Sequence, residues 1–294
     1  MKNNIDNEKE YEVSSWETTD CPVCHSHDST FYERFGYKLK FTYVRCTKCR
    51  TVYQDPRPVY NSQFVEEAYE DYADGRWLYK DDGYYERNAL QFDKEIDEIL
   101  QHDRKRTAVL DVGPGVGLFL FSAKKKYPVC MALEISKNLA RIVEEKLGVS
   151  VSTNRFEDFD PGRKFSCINM SHVIEHVPNP NEWLQKAISV LEKDGVLVID
   201  VPNWFSWAQR LKWFMKKLGL RKGEWPMEKI PEHIYEPGLY GMKQLFKQND
   251  LEILNYYTYS RRDLISEKFP QRIFHRGFKA GSNLRFYVRP VNVN

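Results

Sequence analysis

Apolar positions along the middle of this chain change their spacing in a repeating way. Ala108 to Val112 is an apolar, β-branched run broken only by Asp111, and after it Val116, Phe119, Leu120 and Ala123 recur at helical spacing. That pattern predicts a buried strand running through a turn into a helix. Val129 to Ile135 reads as a second strand, Asn138 to Lys146 as its helix stopped by Gly148, and Val149 to Ser152 as a short third strand. Phe165 to Met170 and Val196 to Val201 read as strands four and five, and between them Trp183, Leu184, Ala187, Ile188 and Leu191 form the apolar stripe of another helix. Strands alternating with helices in this way predict an α/β fold with a doubly wound parallel sheet.

On either side the pattern differs. Phe64 to about Gln101 is tyrosine-rich and helical, interrupted near Asp81, Asp82 and Gly83. Trp204 to Leu220 predicts an aromatic, basic helix: Trp204, Trp207, Ala208, Leu211, Phe214, Met215 and Leu218 repeat at three and four, while Arg210, Lys212, Lys216 and Lys217 fill other positions. An amphipathic helix of this kind has three readings: packed on the domain, folded as a lid over a small ligand, or resting on an anionic membrane surface through 204–218. Leu239, Met242, Leu245 and Phe246 mark one more helix, and Leu251 to Thr258 and Leu284 to Val288 two closing strands.

At 294 residues the chain has room for one sizeable core and a smaller module. The module is marked by Cys21-Pro-Val-Cys24 and Cys46-Thr-Lys-Cys49, whose inner cysteines are separated by 21 residues of partly alternating polarity. Two such knuckles on a β-hairpin bring four thiolates into a tetrahedron, the arrangement by which zinc holds together a segment too small for its own core. A redox motif needs only one pair. Residues 1–62 are therefore taken as a polar N-terminus and zinc ribbon, and 63–294 as the α/β domain, with a helical, lid-like insertion at about 203–236. The cysteine usage and a polar, acidic N-terminus point to the cytoplasm.

The net charge of +2 conceals an asymmetry, with 12 acids against 4 bases in residues 65–98 but 6 bases and no acid in 203–222. Residues 260–294 add 8 bases against 2 acids, so the C-terminal third has the charge to meet phosphate or an anionic surface.

Chemistry concentrates where strand one ends. Gly113, Gly115 and Gly117 at alternate positions let the backbone turn tightly and approach a ligand at a helix N-terminus. The spacing is one residue short of the dinucleotide fingerprint, and Asp111 precedes it. Glu134 ends strand two, 21 residues after Gly113, where doubly wound nucleotide sites place an acid that accepts hydrogen bonds from ribose hydroxyls.

D-V-G-P-G-V-G resembles the first motif of class I S-adenosylmethionine (SAM) methyltransferases. The stretch Asn169 to Pro180, NMSHVIEHVPNP, resembles the "vlEHvpdP" segment of their small-molecule branch, as V-L-V-I-D-V-P-N resembles "vlietPN" and Pro231 to Tyr235 its "H-l-y" segment. The resemblance covers about residues 85–258. It implies a Rossmann-like class I methyltransferase fold and SAM as cofactor, bound by Asp111, Gly113, Gly115, Gly117, Glu134 and Asn169. It also places Phe156 and Glu157 beside the adenine, although Arg155 stands where the family often has an acid, and Ser166 stands where it usually has Asp.

His172, Glu175 and His176 lie at i, i+3 and i+4 and share a face if the segment is helical. Three roles stay open for them. His176 first, or His172, is a candidate general base for a substrate hydroxyl. The trio is also a candidate divalent metal site, as the similar stretch is in ubiquinone-biosynthesis O-methyltransferases. Finally, it can simply tie down a loop. His233, Trp204 and Trp207, after strand five, are candidate walls of an acceptor pocket. The expected activity is methyl transfer from SAM to an oxygen, or less favourably a carbon, of a small-molecule acceptor such as a sugar derivative. The alternatives are an RNA methyltransferase gripping nucleic acid with its ribbon and basic C-terminal region, and a non-catalytic binding module on the same fold. Against RNA, the ribbon carries no pronounced basic run.

Overall fold

A computed structural model describes residues 15–35, 41–59, 83–220, 233–260 and 281–291. The N-terminal module contains β1 (Trp16–Glu17), β2 (Ser29–Phe35), β3 (Phe41–Cys46), β4 (Val52–Gln54) and β5 (Arg57–Pro58). Helix α1 (Tyr84–Ile99) leads into β6 (Val109–Val112), α2 (Leu118–Ala123), β7 (Cys130–Leu133), α3 (Lys137–Leu147), β8 (Ser150–Ser152), β9 (Phe165–Ser171), α4 (Pro180–Val190) and β10 (Leu191–Pro202). There follow α5 (Trp207–Lys217), β11 (Tyr235–Glu236), α6 (Gly238–Gln248), β12 (Leu251–Tyr259) and β13 (Asn283–Pro290). The expected helical stretch 64–82 lies outside the described residues.

Local chemistry accounts for the boundaries. The Ser136 hydroxyl caps α3 by accepting from the Leu139 amide at 3.3 Å, and Gly148 ends that helix in the left-handed conformation. Pro180 opens α4, where its missing amide proton costs nothing.

The main sheet has seven strands in the order β12-β13-β10-β9-β6-β7-β8. The expected parallel sheet extends only over β10, β9, β6, β7 and β8. At the other edge β13 runs antiparallel to β10, and β12 antiparallel to β13. Side chains alternate between its faces. Leu110, Ile168, Leu197, Ile199 and Phe286 pack with α4 and α6 on one side, and Val109, Cys167, Val198 and Tyr287 with α1 to α3 on the other.

At the C-terminal end of the strands the α1 face turns polar. Asp200 on β10 takes two hydrogen bonds from the Arg285 guanidinium on β13, at 2.7 and 2.5 Å, and further ones from Ser171 at 3.1 Å and Tyr259 at 3.0 Å. Glu95, reaching down from α1, meets the same guanidinium at 2.8 Å. Burial pushes the Glu95 carboxyl up to about 7 despite that cation.

The ribbon is joined to this body rather than appended to it. Its sheet runs in the order β11-β4-β3-β2, so Tyr235 and Glu236, from the segment after strand five, complete it by pairing antiparallel with Tyr53 and Val52. Cys21, Val23, Tyr53 and Tyr235 share one buried cluster with Leu110, Ile168 and Leu197. The Asn181 amide at the start of α4 also donates to the carbonyls of Pro22 and Val23, at 3.2 and 3.3 Å.

The basic helix departs from expectation in two ways. It begins at Trp207, because Ser206 caps it by accepting from the Gln209 amide at 3.2 Å. Trp204, expected on its apolar stripe, instead lies before it and is buried against Phe41, Tyr43 and Val52 of the ribbon. Second, no residue of α5 is fully buried, and Trp207, Leu211, Phe214 and Leu218 are about half exposed. Among the described residues no helix is long and apolar enough to cross a membrane.

Arg285→Met would leave Asp200 and Glu95 facing one another without the cation between them. The expected loss is about 3 to 5 kcal/mol of folding stability, measured by chemical denaturation.

Candidate functional site

The glycine turn sits at the C-terminal ends of β6 and β7, where open α/β sheets hold ligands. Gly113, Gly115 and Gly117 all have positive φ, at 70°, 56° and 82°. A Cβ at Gly113 would lie 2.9 Å from Val173, and one at Gly117 would lie 2.7 Å from Leu147, so these two glycines admit neighbouring packing. A Cβ at Gly115 would meet nothing within 4 Å. Gly115 thus turns its backbone toward open space, as a ligand cradle requires.

Two buried carboxylates flank the turn. Asp111 on β6 faces Asn169 across the β6–β9 ladder and accepts from its amide at 2.8 Å. Asp111 Oδ2 and the Asn169 amide oxygen, Oδ1, have no hydrogen-bond partner among the described residues. Burial pushes Asp111 up to about 8, offset in part by Asn169. Glu134 follows β7 and accepts from the Ser136 amide at 3.0 Å, and burial raises it to about 7 against the backbone amides that face it. Orphaned oxygens, raised carboxyls and an open glycine backbone in one place fit a ligand that brings donors or positive charge.

Phe156 and Glu157 lie on the turn after β8. The Phe156 ring is buried, 5.0 Å from the ring of Trp183, so it offers no open face. Glu157 accepts the Trp183 indole N–H at 2.9 Å and sits within 3.4 Å of Arg155.

The histidine segment takes a different form from the one its spacing suggests. Only Ile174–His176 makes a helical turn, of the tighter 3₁₀ type, and His172 stands before it with φ 57°. His172 Nδ1 lies 3.2 Å from Glu175 Oε1, and its backbone amide donates to the Asp200 carbonyl at 3.0 Å. Burial would lower the His172 pKa, but the hydrogen bond and charge of Glu175 raise it above the ordinary histidine value. Burial likewise opposes ionisation of Glu175, yet His172, His176 and His233 hold its carboxyl down to about 2.

The His176 ring stands edge-on to that of His233, with centroids 4.8 Å apart. Ligand atoms of Glu175, His176 and His233 fall within 4.8 Å of one another, so the set able to hold a divalent cation includes His233 in place of His172. His233 Nδ1 in turn lies 2.6 Å from Glu236 Oε1. Glu236 carried no recognisable signal beyond its i+3 spacing from His233, and Glu95, Asp200 and Arg285 carried none.

The four ribbon cysteines form a second buried cluster, with Sγ separations of 3.4 Å for Cys21–Cys49 and 3.5 Å for Cys24–Cys46. Hydrogen bonding with Cys21 pulls the Cys49 thiol down to about 5, while that bond and burial push Cys21 up. Four thiols at this spacing fit a tetrahedral structural zinc. The ribbon also reaches the histidines: Tyr43 Oη and Gln54 Nε2 each donate to the His233 carbonyl at 3.2 Å, and the Ile234 amide donates to the Glu175 carbonyl at 3.0 Å.

A family profile described as a methyltransferase domain matches residues 84–256. The chain belongs to this methyltransferase family. Its fold is shared with magnesium protoporphyrin IX methyltransferase from Synechocystis, solved with bound SAH, at a TM-score of 0.54 and 12% identity over 79% of this chain and 100% of that one. A putative SAM-dependent methyltransferase from Listeria monocytogenes gives a TM-score of 0.52 at 14% identity, over 70% of this chain and 99% of that one. Among curated proteins, the mitochondrial ubiquinone biosynthesis O-methyltransferase of Candida albicans is 31% identical over 139 residues, 41% of each chain. An uncharacterised protein of Methanocaldococcus jannaschii is 26% identical over 121 residues, 41% of this chain and 56% of that one. The match thus spans about half the length of these curated relatives.

Cys46→Ser is expected to release bound zinc, seen by elemental analysis, and to cost about 4 kcal/mol or more of stability. Because Tyr43 and Gln54 hold His233, its imidazole resonances in NMR should also shift, whereas those of His102 beside Tyr287 should not.

Proposed function

We propose that this chain transfers the methyl group of SAM to an oxygen, or as second choice a carbon, of a small metabolite such as a sugar derivative. The observation that carries the reading is the contact of the glycine turn with the histidine turn. Val173, next to His172, is the residue that a Cβ on Gly113 would strike at 2.9 Å. Cofactor cradle and candidate base therefore occupy one rim.

SAM supplies an activated methyl on a sulfonium, so transfer needs alignment, proton removal and exclusion of water. In the proposed arrangement the Glu134 carboxylate accepts both ribose hydroxyls. Asp111 and Asn169 present their unpaired oxygens beneath the glycine turn, where Gly113, Gly115 and Gly117 bring the backbone close. The adenine is assigned to the turn at Phe156 and Glu157, with Phe156 acting through its backbone because its ring is buried. His176 is the first choice of base. His172 is second, because Glu175 raises its pKa and so leaves a smaller fraction in the neutral form that can take a proton.

A second reading is favoured by the convergence of Glu175, His176 and His233. A divalent cation held there would orient the acceptor and lower the pKa of its hydroxyl. In both readings the ribbon (1–62) and the transfer domain (63–294) act as one unit.

The cofactor assignment is tested by calorimetry with SAM. Glu134 accepts hydrogen bonds as a carboxylate, and its pKa lies at about 7, so affinity should fall as pH drops below that value. Glu134→Gln should weaken binding by about 1 to 3 kcal/mol and flatten the pH profile. Unchanged affinity in this variant would exclude Glu134 as the ribose acceptor.

The acceptor is tested with labelled SAM against sugar derivatives, other hydroxylated metabolites and RNA, scoring which product takes the label. With a working acceptor, His176→Ala should lower turnover by about two to four orders of magnitude at nearly constant SAM affinity. Loss of turnover on chelation, restored by a divalent cation, would select the metal reading over the base. RNA taking the label in place of small metabolites would replace the acceptor assignment.

A further inference from the structure

Two segments of the candidate site carry the same short pattern, His-x-x-Glu: His172 to Glu175 and His233 to Glu236. In each, the glutamate turns back on the histidine three residues before it. His172 Nδ1 lies 3.2 Å from Glu175 Oε1, and His233 Nδ1 lies 2.6 Å from Glu236 Oε1. The two segments are also fastened to one another, the Ile234 amide donating to the Glu175 carbonyl at 3.0 Å and the Tyr235 hydroxyl to the Ile174 carbonyl.

The fold by itself does not call for a carboxylate at position 236. The Glu236 side chain is 1% exposed, and its second oxygen, Oε2, has no hydrogen-bond partner among the described residues. A buried acid with an unsatisfied oxygen costs stability. The β11 ladder asks only for backbone pairing with Val52 here, which other side chains allow. What the carboxylate adds is a fixed His233 ring. Tyr43 and Gln54 already hold the backbone of that residue by donating to its carbonyl. An acceptor placed at Nδ1 then decides which nitrogen of the neutral imidazole bears the proton. With the proton on Nδ1, the ring lone pair belongs to Nε2.

We propose that Glu236 is a positioning residue of the transfer site: its carboxylate accepts the Nδ1 proton of His233 and so commits the Nε2 lone pair to the cluster that His233 forms with Glu175 and His176. Nε2 is then the His233 atom offered to the acceptor, directly or through a bound divalent cation. The role rests on the methyl-transfer reading given above, whereas the hold of Glu236 on the ring does not.

The test reads the ring-nitrogen NMR shifts of His233 in the full, zinc-loaded chain carrying isotope-labelled histidine, in buffer alkaline enough for a neutral ring. The Nδ1–H form is expected, and this measurement needs no variant. Glu236→Leu should lose that form, and Glu236→Gln, which keeps an acceptor oxygen, should retain it. With an acceptor found by label transfer, Glu236→Leu should lower kcat about 10- to 100-fold, the effect of losing a carboxylate behind a functional histidine. SAM affinity, zinc content and resistance to denaturant should stay at the level of the unaltered chain, and Glu236→Gln should recover most of the turnover. The Nε2–H form in the unaltered chain, or an unchanged tautomer in Glu236→Leu, overturns the proposal. So does a Glu236→Leu chain that keeps full turnover, or one that loses turnover only together with zinc and stability, since Glu236 would then serve the fold. If the tautomer responds as expected in a chain that labels no acceptor, the hold of Glu236 on His233 stands and the transfer reading is what fails.

Discussion

The antiparallel pairing of Val52 and Tyr53 with Glu236 and Tyr235 is the contact on which the two parts of this molecule depend. The ribbon brings metal ligands but little core of its own, and the segment after strand five brings only a two-residue strand. Each completes the other. Through this ladder the cysteine cluster is two steps from His233: β4 carries Gln54 and lies beside Tyr43, and both side chains hold the His233 carbonyl. Glu175 is fastened from the same side through the Ile234 amide, and the Tyr235 hydroxyl reaches the Ile174 carbonyl. A structural zinc is therefore a device for placing one wall of the candidate site, with no open coordination position needed for chemistry.

Electrostatics at the upper end of the sheet divide into two groups. Asp200 and Glu95 share the Arg285 guanidinium, an interior network that trades desolvation for charge-assisted hydrogen bonds and gives β13 a fixed register against β10. Among the described residues Asp111 and Glu134 face no such cation, and burial, joined at Asp111 by the charges of Glu95 and Glu134, lifts both carboxyls toward neutrality. One group belongs to the fold, and the other waits for a partner. Under the proposed cofactor assignment, the hydroxyls and positive charges of SAM would supply what the chain withholds. The distribution along the rim has a simple cause in the alternation of strands: Val109, Cys167 and Val198 are apolar lower on the same face, and each is followed two positions later by Asp111, Asn169 or Asp200.

Much of this was legible in the residues taken in order, because the physics behind it is local. Strands covered on both faces read as apolar runs, a left-handed turn demands glycine, and two cysteine pairs close a knuckle within four residues each. Those signals place the five parallel strands, the glycine turn, Glu134, the capped helix α3 and the four-thiol cluster. Tertiary structure decided the rest, because it turns on contacts between distant residues. The Tyr43 hydroxyl meets the His233 carbonyl across 190 positions, and Arg285 meets Asp200 across 85. Helical spacing joined His172 to Glu175 and His176. His172 still meets Glu175 from a left-handed backbone, but the set of converging ligands is Glu175, His176 and His233, which the β11 pairing brings in. The apolar stripe of α5 was evident from its period, but a period states only which residues share a side. How far that side is covered depends on what the rest of the chain packs against it, and here Trp204 is drawn into the ribbon while no residue of α5 is fully buried.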